Sequence, residues 1–146
     1  MPTIKHATPG AAVTVLDSEL DGLANGGVSG VSGSGTGTVY DGATGLNLVG
    51  DLELVVTFGA APTAGTTVEV YMVGAPDGTN YSDGDRNSAE LVVVFTLRNN
   101  AANRVLRRDV PLPPHSAKFF IRNNSGQSTS GTANALKLFP HNISSA

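Results

Sequence analysis

The clearest alternation of apolar and polar residues covers residues 51–58 and 66–73. Every second residue there is large and apolar: Leu52, Leu54, Val56 and Phe58 in the first segment, and Val68, Val70 and Met72 in the second. A period of two is that of a β-strand with one face on a core and the other in solvent. Both segments are therefore predicted to be half-buried antiparallel strands.

Six further segments have the length and composition of strands. They are residues 12–16, 38–40, 91–97, 104–110, 117–122 and 134–139. Segment 91–97 is apolar on both faces for several residues, which predicts a central strand or a face covered by another chain. Because turn-forming residues separate most of these segments at short intervals, we predict an all-β, antiparallel, eight-stranded jelly roll or similar β-sandwich.

Residues 1–11 lack the strand pattern. Pro2, Pro9 and Gly10 discourage regular structure there, and the segment has little apolar surface. We expect a flexible N-terminal arm over residues 1–11, followed by a single domain over residues 12–146.

Two internal segments also depart from the strand pattern. Residues 17–26 predict one or two helical turns, because acids open the segment and Asn25-Gly26 closes it. At most this one short helix is expected. Residues 26–37 are rich in glycine and serine, which predicts a flexible loop within the domain.

Composition narrows the class of protein. The chain has 146 residues, no cysteine and a net charge of −3. Disulfides and thiolate metal sites are excluded, and the acidic balance argues against binding to nucleic acid. No apolar run approaches the roughly 20 residues of a membrane helix, and the first ten residues do not resemble a signal peptide. We expect a soluble protein with neither nucleic acid nor membrane as a partner.

The charges are unevenly distributed along the chain. Residues 1–75 carry seven acids and one base, a net charge of −6, whereas residues 76–146 carry five acids and eight bases, a net charge of +3. The two halves either interleave on the folded surface or form opposite poles suited to packing against a partner or another copy.

Candidate catalytic and metal-binding residues form no motif. His6, His115 and His141 have no metal-site spacing and are expected to be scattered surface residues. The oxygen-rich residues 77–85 do not follow the EF-hand spacing, which favours a long hairpin loop over a calcium site. Since no nucleophile elbow or carboxylate pair stands out either, we predict no enzyme, no cofactor and no metal.

A carbohydrate-binding module is one alternative, since jelly rolls include lectin domains. Tryptophan is absent, and the phenylalanines mostly lie in strand patterns. Tyr40, Tyr71 and Tyr81 are then the remaining candidates for stacking against a sugar ring.

A basic cluster lies on one predicted strand. Arg104, Arg107 and Arg108 either protect a solvated edge strand by their charge or contact an acidic partner surface or a neighbouring copy.

From about Leu16 to His141 the order of segments resembles the jelly-roll cement, or decoration, proteins of tailed-phage capsids. The motifs are LDGLANG at 20–26 before the glycine/serine stretch, DLEL at 51–54, VY at 70–71, APDGTNY at 75–81, RDVPLPP at 108–114, KFFIRN at 118–123 and NALKL at 134–138. His115-Ser116 stands where a glycine-containing turn is expected, which affects one local turn.

The resemblance implies a structural virion protein, made in the host bacterial cytoplasm, that binds the outer capsid surface and bridges neighbouring major capsid proteins. Another head-fibre or tail component is an alternative. Self-association is expected, a homodimer being favoured and a trimer remaining open. The residues expected to contact the capsid or another copy lie in the arm, the glycine/serine loop and the basic cluster: Ile4, Lys5, His6, Val28, Val31, Arg104, Arg107 and Arg108.

Overall fold

Antiparallel strands in two facing sheets make up most of the computed structural model, which describes residues 4–81 and 89–145. The strands are β1 (Ile4–His6), β2 (Val13–Leu16), β3 (Tyr40–Asp41), β4 (Val49–Thr57), β5 (Thr67–Ala75), β6 (Glu90–Thr96), β7 (Ala102–Pro111), β8 (Ser116–Asn124), β9 (Ala135–His141) and β10 (Ile143–Ser145). Among the described residues, no helix has the length and apolar character needed to cross a bilayer.

The strand order is that of a jelly roll. One sheet has the order β2-β9-β4-β7 and the other β3-β8-β5-β6, while β1 and β10 form a separate two-stranded ribbon. Within the two four-stranded sheets, the outermost strands in sequence pair as β2 with β9, and the pairs β3·β8, β4·β7 and β5·β6 are nested inside. The predicted all-β, eight-stranded jelly roll is confirmed.

The core lies between the two sheets and follows the predicted alternation. Leu52, Leu54 and Val56 of β4 are fully buried, as are Val68 and Val70 of β5. Together with inward-facing residues of β8 and β9 they form one apolar cluster. The period of two therefore located the buried faces of both strands.

The helical content differs in position from the prediction. Within residues 17–26 the structure has a 3-10 helix over Ser18–Leu20 and no longer helix, and a second helical turn covers Gly42–Gly45. The Asp41 carboxylate starts this turn by accepting hydrogen bonds from the backbone N–H groups of Ala43 and Thr44. A four-residue helix is too short to show a helical period in the sequence.

The N-terminal segment, expected to be a flexible arm, pairs with the C-terminal one from Ile4 onward. Strand β1 is antiparallel to β10, and beyond it the N–H groups of Ala7 and Gly10 each donate a 2.8 Å hydrogen bond, to the carbonyls of Asn142 and Pro140. Backbone pairing of this kind requires no apolar side chains, so composition gave no sign of it.

The glycine/serine segment, expected to be a flexible loop, is an irregular loop that is hydrogen-bonded along β8 over residues 26–32. Backbone N–H groups of Ser29 and Ser32 donate to the carbonyls of Ile121 and Phe119, both at 2.9 Å. In return the N–H groups of Ile121 and Phe119 donate to the serine hydroxyls, also at 2.9 Å. The two hydroxyls thus take the place of carbonyls on a neighbouring strand.

Strand β6 lies at an edge of its sheet, so the expected central position of segment 91–97 is wrong. Its two apolar faces lie in different environments. Val93 and Phe95 are buried in the core, whereas Leu91 and Val94 face outward and are half exposed. The register shift between Val70 and Tyr71 in the β5·β6 pairing changes which residues face outward.

Candidate functional site

Two edge strands from different sheets lie beside each other along one side of the sandwich. Strand β6 ends the second sheet and β7 ends the first, and the short connection over residues 97–101 joins them. We call five of their exposed residues the rim: Leu91 and Val94 of β6, and Leu106, Arg107 and Arg108 of β7. The acidic Glu90 and Asp109 of the same two strands are also exposed. The rim thus has apolar side chains on both edge strands and two arginines on β7, and each edge also presents backbone hydrogen-bonding groups.

The three arginines predicted as a cluster lie on β7 but differ in their contacts. Arg104 donates two hydrogen bonds to Glu53 Oε2, from Nε at 3.0 Å and from Nη2 at 2.9 Å. Arg107 and Arg108 are exposed. The edge position is confirmed, and it leaves both explanations of the cluster, edge protection and partner contact, compatible with the fold.

The Arg104 pair also bears on the charge distribution. Glu53 belongs to the acidic half of the chain and Arg104 to the basic half, and their strands are neighbours. The halves therefore interleave where β4 meets β7. The Oε1 atom of Glu53 is buried and has no hydrogen-bond partner in the described part of the chain. The positive charge of Arg104 therefore offsets the cost of removing this carboxylate from water.

The remaining predicted contact residues lie elsewhere. Val28 is about half exposed and pairs with Arg122 of β8. Val31 packs, half-buried, against a small cluster of Tyr71, Val73 and Phe120 on the outer face of the second sheet. Ile4, Lys5 and His6 form β1, and their side chains lie outside what the structure describes. Val28 and Val31 thus lie along the second sheet, whereas the three arginines lie on the edge strand of the first.

A second site, which sequence reasoning missed, lies at a bulge between β4 and β7. Gly50 pairs with Val110 and Leu52 with Arg107, so that Asp51 faces both Arg108 and Asp109. Asp109 adopts a left-handed backbone with φ of 54°, and its N–H donates to Asp51 Oδ1 at 3.0 Å. Bulges with such strained residues re-aim side chains and often accompany functional sites.

His141 of β9 completes this bulge site. Its Nε2 atom lies 3.2 Å from Asp109 Oδ1, and its Nδ1 atom lies 3.2 Å from the carbonyl oxygen of Phe139. The residue is 4% exposed, so the expectation of a scattered surface histidine is wrong for His141. Strand β9 continues through Pro140, where the sequence predicted its end, and this carries His141 into the sheet.

A shallow pocket of about 300 Å³ opens at the bulge site. The segment that follows β1 contributes Ala7 and Pro9 to its wall, and the sheet contributes Asp51, Leu106, Arg108, Asp109 and His141. The three site residues are far apart in the chain, which is why no sequence motif indicated them.

The predicted oxygen-rich loop is described in part. Asp77 accepts hydrogen bonds from the backbone N–H groups of Thr79 and Asn80, at 2.9 and 2.8 Å, and from the Asn80 side chain at 2.6 Å. These bonds lower the Asp77 pKa to about 2. The carboxylate thus closes a turn, as the hairpin interpretation expects. Residues 82–88, which include Asp83 and Asp85, lie outside the described residues.

The tyrosines considered for sugar stacking are largely inaccessible. Tyr40 and Tyr71 are buried, 3% and 6% exposed, and Tyr71 stacks on Phe120 with ring centroids 5.2 Å apart. Tyr81 is half-buried, and the ammonium of Lys118 lies 4.3 Å from the centre of its ring. A flat aromatic platform of the kind that binds sugars is not formed by these three residues.

The fold defines the class of this protein as an all-β antiparallel sandwich of the jelly-roll type. No protein-family model, curated protein or solved structure matches the chain.

Proposed function

We propose that the chain is a capsid cement protein, which binds the outer surface of an assembled phage capsid and bridges neighbouring major capsid proteins. The rim is the observation that carries the proposal. Leu91, Val94 and Leu106 are 46–50% exposed on two adjacent edge strands. Apolar residues exposed at sheet edges are suited to contacts with another protein chain.

The charge of the rim indicates the kind of surface it fits. The chain as a whole has a net charge of −3, yet the rim carries Arg107 and Arg108. Two exposed arginines on an edge strand favour docking to an acidic surface, and the exposed Glu90 and Asp109 of the same two strands favour one orientation of that docking. The jelly roll itself supports the proposal weakly, since viral capsid domains share this fold with lectins and cupins.

A cement protein stabilises the assembled lattice by binding that state in preference to free subunits. Each contact is then modest, because many copies act together on one shell. Self-association as a homodimer is part of the proposal, with a trimer at a local three-fold position as the alternative.

The test is co-sedimentation of the purified protein with mature, undecorated capsids of the phage that encodes it, beside free capsid protein. We expect saturable binding to the shells alone, weakened by salt, and a higher temperature of shell disruption. Equal binding to free subunits would contradict the cement role.

Matched variants locate the contact. The double variant R107S/R108S removes two positive charges from the rim, and K118S/R122S removes two from the outer face of the second sheet. We expect at least about a tenfold loss of capsid affinity for the first and a much smaller change for the second. The reverse order would move the contact surface away from the rim.

A further inference from the structure

The bulge site brings two carboxylates and one imidazole together from three adjacent strands. Asp51 is on β4, Asp109 on β7 and His141 on β9, and β4 lies between the other two. One ligand atom from each residue lies within 4.8 Å of the other two. Nitrogen and oxygen donors in such a set suit first-row divalent metal ions.

The hydrogen bonding of His141 separates this site from an ordinary acidic surface patch. The carbonyl oxygen of Phe139 can only accept, so in the tautomer that makes this hydrogen bond Nδ1 carries the proton. In the neutral ring, Nε2 then presents a lone pair to the Asp109 carboxylate, which is also an acceptor, 3.2 Å away. Nε2 and the Asp109 carboxylate are thus the two donor atoms that a metal ion would join on this side of the site.

The same arrangement is the usual one around a metal-bound histidine. Such a histidine donates its second ring N–H to a carbonyl or carboxylate, which fixes the ring and its tautomer. Phe139 provides that carbonyl here, and burial of the ring restricts its rotation. The N–H of Asp109 holds Asp51 Oδ1 in an equivalent way.

The distance between two of the three ligand atoms matches a small ion. Tetrahedral zinc with N and O ligands at about 2.0–2.1 Å places the ligand atoms about 3.3–3.4 Å from one another. His141 Nε2 and Asp109 Oδ1 are already 3.2 Å apart. The Asp109 side chain is 47% exposed, so its carboxylate has room to turn as the three ligands close on an ion.

We propose that Asp51, Asp109 and His141 bind a divalent transition-metal ion of the zinc type. Three protein ligands leave a fourth position directed to the pocket, open to water or to a group from another molecule. The ion ties the edge strand β7 to β4 and β9 at the bulge, and so stabilises the edge that carries the rim arginines. This inference is independent of the cement role.

The test is equilibrium titration of the full chain, stripped with chelator, with Zn²⁺, read by calorimetry and by thermal unfolding. We expect one saturable site and a rise in the unfolding temperature with Zn²⁺ that chelator reverses. Substitution with Co²⁺ gives a second readout, since tetrahedral coordination produces intense visible absorption bands. No saturable binding up to millimolar Zn²⁺ would overturn the proposal.

Isosteric variants identify the ligands without unfolding the chain. D51N keeps an oxygen acceptor for the Asp109 N–H, and D109N places asparagine, which tolerates a left-handed backbone, at φ of 54°. We expect each variant, and H141Q, to lose at least about 90% of the affinity. The control H115Q removes a histidine outside the site and is expected to bind normally. Equal Zn²⁺ binding by D109N and wild type would also overturn the proposal.

Discussion

The hydroxyl of Ser32 accepts a 2.9 Å hydrogen bond from the backbone N–H of Phe119 and lies 3.3 Å from the carbonyl oxygen of the same residue. Both residues are completely buried. A side chain thereby satisfies both backbone groups on the edge of β8, at a place where the chain passes as an irregular loop. The hydroxyl of Ser29 likewise accepts a hydrogen bond from the backbone N–H of Ile121.

Removing these hydroxyls is expected to destabilise the fold. S32A and S29A each leave a buried N–H of β8 without an acceptor, so each should lower the free energy of unfolding by about 1–3 kcal/mol. Chemical denaturation of the purified variants measures this. The exposed Ser34 provides the control, and S34A should change stability by less than about 0.5 kcal/mol. A loss for S34A as large as that for S32A would contradict the argument.

Asn123 is the centre of a second buried polar network. Its fully buried amide donates to the carbonyls of Leu23 and Gln127, at 3.0 and 2.7 Å, and its Oδ1 accepts from the N–H of Ser125. We expect N123A to lower the free energy of unfolding by about 3 kcal/mol, because several buried groups lose partners at once. The adjacent, half-buried Asn124 is the matched control, and N124A should cost less than about 1 kcal/mol.

Glu19 is expected to make stability depend on pH. Burial raises the pKa of its carboxyl. Hydrogen bonds from the backbone N–H groups of Asp17, Gly35 and Gly37 together lower the pKa by more than burial raises it, so the pKa lies below its ordinary value of 4.5. The ionised Glu19 carboxylate therefore stabilises the folded state fully at pH values above 4.5. This stabilisation is lost as the pH falls through the lower pKa of the folded state.

The variant E19Q tests this prediction. Because the Glu19 side chain is partly exposed and glutamine keeps an oxygen acceptor, we expect E19Q to lose less than about 1 kcal/mol at neutral pH, and the gap to wild type to narrow below about pH 4.5. Denaturation at a series of pH values measures the gap. E90Q, at an exposed position on β6, is the control. A gap for E19Q that widens on acidification would refute the assignment.

Gly42 is expected to tolerate no side chain. A Cβ atom there would collide with the backbone carbonyl oxygens of Pro113 and His115, neither of which can turn aside like a side chain. We expect G42A to lower stability by about 1–3 kcal/mol, measured by thermal or chemical unfolding. Gly59 has open space around the same position, so G59A should be nearly neutral. Equal effects of the two substitutions would disprove the steric argument.

The sequence predicted those features that depend on local periodicity. Alternation placed Leu52, Leu54 and Val56 on the buried face, and their burial is complete. For Leu91 and Val94 the pattern left two possibilities, a central strand or a face covered by another chain, because an apolar run looks the same in either position. The edge position of β6 excludes the first. Only the strand order distinguishes the two cases, and strand order depends on contacts between distant segments.

The bulge site illustrates the same limit for function. Asp51, Asp109 and His141 meet because β7 gains one residue against β4 and because β9 continues past Pro140. Neither event has a signature in the spacing of the three residues. A non-glycine residue with positive φ becomes recognisable only once the backbone is known. The prediction that the chain holds no metal rested on spacing alone, and the proposed zinc site differs from it.

The nested pairing of strands also determines how the chain can reach its folded state. Once the β5·β6 hairpin exists, β4 and β7 can meet by closing only the short connections over residues 58–66 and 97–101, and each outer pair follows from the one inside it. Folding should therefore proceed outward from the hairpin, with the ends of the chain joining last. Substitutions in the β5·β6 pair, such as V70A, should slow folding, whereas those in β2 should mainly accelerate unfolding, as stopped-flow kinetics can measure.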